Sequence, residues 1–127
     1  MRRLLVGALV ALVLVAAASA APPVPSGSIV LNEAGPFAFG DTVTFTTAAT
    51  GLRGNQYPLV YVECRSVVDG EVLYGQLDLP ETGFLLGGGS SPWWLDRDDV
   101  TCLAHLYAYG GKTIVELAVP VPFGSIG

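Results

Sequence analysis

The alternation of apolar and polar residues in the segment Val100–Tyr109 constrains the fold more than any other feature of the chain. Its even-numbered positions are all apolar, and its odd-numbered positions carry nearly all of its polar atoms. A period of two residues with one apolar side is typical of a β-strand that buries one face and exposes the other. Cys102 lies on the apolar side of this segment. Cys64, the only other cysteine, lies on the apolar side of a second such segment, Pro58–Val68.

The first twenty residues have the features of a secretory signal peptide. Arg2 and Arg3 provide a positive start, Leu4–Ala17 an apolar core, and Ala18-Ser19-Ala20 a site of small residues suited to cleavage. The apolar run is shorter than the roughly 20 residues that a membrane span needs. We therefore expect cleavage before Ala21, no stable membrane anchor afterwards, and a secreted, extracellular protein.

The charge of the chain argues against nucleic acid as a partner. Without the two leader arginines, four basic residues remain against eleven acidic ones, a net charge of −7. An acidic surface repels the phosphate backbone, so we expect no nucleic-acid binding.

After the leader, short apolar runs alternate with turn signals about every 8–12 residues, and no helical period is present. This pattern predicts an antiparallel all-β sandwich of about seven strands. Asp69-Gly70 and Gly110-Gly111 predict tight hairpins. The predicted organisation is a signal peptide (1–20), a Pro/Ser/Gly linker (21–27), the sandwich (28–120) and a C-terminal tail (121–127). The predicted strands are Ser28–Glu33, Asp41–Ala49, Pro58–Val68, Glu71–Leu79, Phe84–Leu86, Val100–Tyr109 and Lys112–Val119.

The motif GDTVTF at residues 40–45 resembles the second strand of immunoglobulin-like domains. From Ser28 to Val119 the chain also resembles small exported immunoglobulin-like proteins of actinobacteria. The shared motifs are a GD-x-VTF strand, a strand ending in cysteine, a DGE-x-LYG hairpin and a late TC-x-A-x-LY strand. The resemblance implies an immunoglobulin-like sandwich and carries over no functional residues. The chain departs from antibody-type domains because its second strand has no cysteine and its tryptophans come late.

The two cysteines predict one disulfide. By the resemblance, Cys64 and Cys102 lie on neighbouring strands of one sheet, and both are on the apolar side. An exported protein with two cysteines favours a bridge, although two buried free thiols are the alternative. The closed loop of about 38 residues would stabilise the fold by roughly 4 kcal/mol on the chain-entropy model.

The same parity predicts a solvent-facing set of tyrosines and charged residues. Such a set on a flat sheet suits stacking on sugars or contact with a protein, although an ordinary solvated strand surface is the alternative. The next strand would add Tyr74 and Gln76 if its parity agrees. The predicted set is Tyr61, Glu63, Arg65, His105, Tyr107 and Tyr109.

Trp93 and Trp94 follow the flexible run GGGSSP and form a second candidate anchor for a ligand or partner. The alternative is that one or both rings pack at the edge of the sandwich. The acidic segment Asp96–Asp99 has three carboxylates, but we expect a solvated turn there and no metal site.

We expect no enzymatic activity and no cofactor. His105 is the only histidine, and no serine lies in a G-x-S-x-G setting. The expected function is that of an exported, non-enzymatic binding or interaction module at the cell surface or in the medium, with a protein or a cell-wall glycan as its partner.

Two other functions stay open at this point. One is a secreted inhibitor of an extracellular enzyme, which would insert Trp93 and Trp94. The other is a small-molecule carrier of the neocarzinostatin type, although those proteins have two disulfides and this chain has at most one.

We predict that the exported protein begins at Ala21, because Ala18-Ser19-Ala20 is the cleavage site. The intact mass of the protein recovered from the medium measures this. A mass that retains residues 1–20, found in a membrane fraction, would contradict it.

Overall fold

The computed structural model describes residues 24–88 and 99–126, and in these ranges the chain is built from antiparallel strands without a helix. The leader, Trp93, Trp94 and most of the acidic segment 96–99 lie outside the described residues. In the described ranges no helix is long and apolar enough to cross a membrane. The strands are β1 (Ser26–Leu31), β2 (Thr42–Val43), β3 (Phe45–Thr50), β4 (Tyr57–Ser66), β5 (Val72–Asp78), β6 (Phe84–Leu85), β7 (Asp99–Gly110), β8 (Thr113–Glu116) and β9 (Val121–Ile126).

The larger sheet is centred on β4 and β7. These two strands pair along their whole common length, from Tyr57 opposite Tyr109 to Ser66 opposite Val100. β5 pairs with β4 along the edge opposite β7. β8 and β9 share the other edge of β7, β8 beside its C-terminal half and β9 beside its N-terminal half. The strand order is therefore β5-β4-β7-β8, with β9 continuing the edge that β8 begins.

The second layer is formed by β1 paired with β3 and by β2 paired with β6. β2 and β3 are separated only by Thr44, whose carbonyl accepts a hydrogen bond from the Asn32 amide at 3.0 Å. The outward positions of β1, β2 and β3 are mostly serine and threonine, with Val30 as an exposed apolar exception.

The two layers meet at a close contact between β1 and the edge of the larger sheet. The Gly27 amide donates to the Leu117 carbonyl at 2.8 Å, and the Leu117 amide donates to the Leu106 carbonyl at 2.8 Å. A Cβ atom at Gly27 would lie 2.4 Å from the Ala48 carbonyl oxygen of β3 and 3.1 Å from Cδ2 of Leu106 in the larger sheet, so a larger residue would not fit between them. The hydrogen bond joins the start of β1 to the point where β8 ends.

The core lies between the layers and contains apolar side chains from both. Phe45 of β3 contacts Phe84 of β6 at 5.7 Å and Phe123 of β9 at 6.4 Å between ring centroids. Val60, Val62, Ala104 and Leu106 of the central strands are fully buried. The predicted all-β antiparallel fold is confirmed, with nine strands in the described ranges where the sequence predicted about seven.

Cys64 and Cys102 are bonded to each other, as predicted, with their Cα atoms 4.0 Å apart. They are directly opposite in the β4–β7 register, and both are buried. The hairpins at Asp69-Gly70 and Gly110-Gly111 also connect the predicted strands. The Ser66 amide donates to the Glu71 carbonyl at 2.9 Å around the first, and Gly110 lies opposite Thr113 in the second.

The predicted ends of the domain differ from those observed. Residues 121–126, expected to form a C-terminal tail, form β9 and pair with β7. Phe123 lies opposite Cys102 and packs in the core, 5.5 Å from Phe37 between ring centroids. Pro120 and Pro122 hid this strand, because proline lacks the amide that a central strand requires. Only Pro122 lies within β9, and an edge strand tolerates it. β1 also begins inside the predicted linker, at Ser26, and the predicted strand Asp41–Ala49 is divided at Thr44.

We predict that Phe123→Ala lowers the free energy of unfolding by about 3–5 kcal/mol, because it removes a buried ring and leaves a cavity between the layers. Chemical denaturation monitored by circular dichroism measures the loss. Val119→Ala, at a position 85% exposed just before β9, is the control and should change stability by less than about 0.5 kcal/mol. Equal stability of the two variants would show that β9 does not contribute to the fold.

Candidate functional site

The solvent-facing side of β4 and β7 brings together all the site residues predicted on these strands. Residues of β7 with even numbers are buried from Val100 to Ala108, so those with odd numbers face solvent. The register places Tyr61 opposite His105 and Tyr57 opposite Tyr109. We call this surface the tyrosine face. It consists of Tyr57, Tyr61, Glu63, Arg65, His105, Tyr107, Tyr109 and, from β8, Glu116.

The aromatic side chains of the tyrosine face form one continuous row. The ring centroids of Tyr61 and His105 are 6.2 Å apart, and those of Tyr107 and Tyr109 are also 6.2 Å apart. Tyr57 continues the row at 6.5 Å from Tyr109. His105 and Tyr107 are stacked, with centroids 5.3 Å apart and planes 8° from parallel. The stacked pair therefore covers one face of the His105 ring and one face of the Tyr107 ring.

Glu63 organises the polar contacts at one end of the face. The Tyr61 hydroxyl donates to its Oε2 at 3.0 Å, and Nε of Arg65 donates to its Oε1 at 2.7 Å. The hydrogen bond from Arg65 lowers the pKa of Glu63, and the Tyr61 hydroxyl contributes in the same direction against the effect of burial. Burial and the bond to Glu63 raise the pKa of Tyr61. Nη1 of Arg65 also donates to the Gly70 carbonyl at 3.1 Å, which fixes the guanidinium beside the β4–β5 hairpin.

His105 and Glu116 form the other polar pair. The Nδ1 atom of His105 lies 2.7 Å from Oε2 of Glu116, and the histidine side chain is only 18% exposed. Glu116 lies opposite Tyr107 in the β7–β8 register. Burial and the nearby Glu116 carboxylate raise the pKa of Tyr107. Each acidic group of the tyrosine face thus has a basic side chain within hydrogen-bonding distance.

Large aliphatic side chains border the aromatic row. Leu77 is 43% exposed, Leu103 40% and Ile114 60%. In the register they lie opposite Tyr61, Glu63 and Tyr109 respectively. These three residues, together with Tyr57 and Glu116, were missed by sequence reasoning. Leu103 stands at an odd position of β7 and was available from the parity. Ile114 and Glu116 required the register across the Gly110-Gly111 hairpin.

β5 places a glycine, Gly75, beside the aromatic row and no aromatic side chain on this face. A Cβ atom at Gly75 would lie 3.0 Å from the Tyr61 hydroxyl, so the tyrosine extends over this glycine. Tyr74 and Gln76, which the sequence suggested for this face, are on the opposite side of the sheet, because Tyr74 lies opposite the inward-facing Cys64. Tyr74 is buried, and burial together with the Asp78 charge raises its pKa to about 12.

The other candidate residues do not join this surface. Trp93 and Trp94 lie outside the described residues, and of the acidic segment only Asp99 is described, where it begins β7. Across the described ranges, no group of three or more histidine, cysteine, aspartate or glutamate side chains is arranged to hold a metal ion. Comparisons with protein-family models, with curated proteins and with solved structures each found no match.

We predict that Glu63→Gln lowers the melting temperature at pH 7 and that the difference from the wild type closes as the pH falls from about 5 to about 3. The pKa of Glu63 is lowered in the folded chain. Its carboxylate therefore stabilises the fold above the ordinary glutamate pKa of about 4.3, and this contribution is lost as the pH falls through the folded-state value.

Thermal melts at several pH values measure this difference, with Glu81→Gln at an exposed turn as the control. A constant offset between wild type and Glu63→Gln across the pH range would contradict a role for the carboxylate charge.

Proposed function

We propose that the chain is an exported, non-enzymatic interaction module that binds a protein partner through the tyrosine face. The observation that carries this proposal is the continuous aromatic row on the solvent side of β4 and β7, bordered by exposed Leu77, Leu103 and Ile114. Isolated exposed apolar residues are ordinary on a protein surface, but a contiguous patch is typical of a binding surface. Tyrosine is also among the residues enriched at interface centres.

The charges of the face support a protein surface as the partner. Glu63 is paired with Arg65, and Glu116 lies beside His105. These acidic groups keep their own partners when water leaves the surface, so the desolvation penalty of bringing another protein onto the face is reduced.

The packing of the rings favours a protein over a glycan. A sugar that stacks on an aromatic ring needs an exposed ring face. In this protein His105 and Tyr107 each cover one face of the other's ring, and Tyr107 and Tyr109 meet edge to face at 83°. This mutual packing leaves less ring face for a sugar, whereas partly covered rings still suit close packing with side chains of another protein.

The export of this module rests on two features. The leader predicts secretion, and a buried disulfide is compatible with the oxidising environment outside the cell. We also propose that the sandwich is of the immunoglobulin-like type. The order β5-β4-β7-β8 in one layer and the pairing of β1 with β3 in the other support this assignment.

A capture experiment tests the function. Immobilised wild-type protein should retain a protein from the culture medium or the cell-wall fraction. Tyr107→Ala should weaken retention by about thirtyfold, since truncation of a central tyrosine costs about 2 kcal/mol. Val30→Asp is the matched control, because Val30 is 57% exposed on the outer side of the other layer.

Equal retention by wild type and Tyr107→Ala would contradict the assignment of the surface. Binding of the wild type to purified cell-wall glycan, abolished by Tyr107→Ala, would contradict the assignment of a protein partner.

A further inference from the structure

We propose that the partner of the tyrosine face is a second copy of this chain, packed face to face. The two copies are related by a two-fold axis that lies between the two sheets and runs perpendicular to the strands. This inference rests on the proposed function, because it uses the same surface and names the protein that covers it.

The size of the face matches one side of an ordinary protein interface. It extends over the four strand positions of the larger sheet, and its central strand β4 is ten residues long. With strands about 4.8 Å apart and a rise of about 3.3 Å per residue, the flat area is roughly 600 Å². Side chains add relief to this area, so the surface that becomes buried approaches the roughly 800 Å² per partner of a standard interface.

The chemistry of the face changes along the strands. Tyr57 and Tyr109 lie side by side at one end, where β4 begins and β7 finishes. At the other end Arg65 of β4 lies opposite Thr101 of β7, and its side chain is 49% exposed. One end therefore presents aromatic rings and the other a guanidinium group, which attract each other when brought into contact.

A two-fold axis across the strands brings these unlike ends together. Rotation about an axis through the Tyr61–His105 pair reverses the strand direction and keeps β4 over β4 and β7 over β7. The Arg65 guanidinium of each copy then lies over the other copy's Tyr57, and Leu103 lies over the other copy's Tyr107. An axis parallel to the strands through the same pair would instead place Arg65 over the other copy's Thr101 and Tyr57 over its Tyr109, so the guanidinium groups and the aromatic rings of the two copies would stay at opposite ends.

The charge distribution permits two acidic chains to meet at this surface. The chain carries a large excess of acidic residues, and two copies repel at long range. On the tyrosine face each carboxylate already has a hydrogen-bonding neighbour, Arg65 for Glu63 and His105 for Glu116. A dimer through the tyrosine face thus avoids direct contact between bare carboxylates.

Sedimentation equilibrium of the secreted chain tests the inference. Between about 1 µM and 1 mM the average mass should rise from that of one chain to that of two, the range expected for an interface of this size without further contacts. Leu103→Asp should weaken the dimer by at least about tenfold, because it places a carboxylate against the other copy's Tyr107. Val30→Asp, on the other layer, should leave the dimer unchanged.

Three further variants test the orientation and guard against misfolding. Arg65→Gln should weaken the dimer several-fold, and Arg65→Lys should weaken it less, because lysine keeps the charge over the ring. Ile114 lies beside Tyr109 and is more exposed than Leu103, so its substitution is less disruptive to the fold. Ile114→Ser should weaken the dimer, and it replaces Leu103→Asp as the test if that variant folds poorly. Circular dichroism and a thermal melt establish the folding of each variant.

Each outcome bears on one part of the inference. A wild-type chain that stays monomeric at 1 mM overturns it, and a foreign protein retained in the capture experiment would still support the proposed function. A dimer that Leu103→Asp and Ile114→Ser do not weaken overturns the choice of face. A dimer that these two variants weaken but Arg65→Gln does not overturns the two-fold orientation across the strands.

Discussion

The pairing of β4 with β7 is the constraint on which the rest of this structure depends. Ten residue pairs fix the register, and the disulfide joins one of them directly, Cys64 to Cys102. Because side chains alternate along a strand, a slip of one residue would bring the tyrosines into the core and the bonded cysteines to the surface. The covalent bond excludes that slip. It therefore determines which side of the larger sheet is the core and which side is available for binding.

The sequence predicted the parts of the fold that local pattern encodes. The alternation in Val100–Tyr109 predicted the buried and exposed sides of β7. Two cysteines in a chain with a secretory leader predicted the disulfide, and their position on the apolar sides of strands that the resemblance made neighbours agreed with it. β9 was missed because Pro120 precedes it and Pro122 lies within it, and only its place at a sheet edge makes Pro122 acceptable. The side on which Tyr74 lies was not available either, because it follows from the β4–β5 register and not from β5 alone.

Part of the tyrosine face could also be predicted from the sequence, because local alternation shows which side chains of a strand share a side. Parity alone identified the outward side chains of β4 and β7. The exposed leucine on β5 and the residues of β8 join the surface through pairing between strands, which a single sequence does not reveal. The stacking of His105 on Tyr107 depends on side-chain conformation, and this stacking is what moves the interpretation from sugars towards a protein partner.

The hydrogen bond from Gly27 to Leu117 ties the first strand to a residue near the other end of the chain. β9 follows Leu117 in the chain, pairs with the central strand β7 and supplies Phe123 to the core. A chain that crosses a membrane N terminus first therefore cannot complete its sandwich while these late residues remain in the translocation channel. Long-range contacts of this kind slow folding, and for the export proposed above they would keep the chain in a form that can be threaded until β9 has emerged.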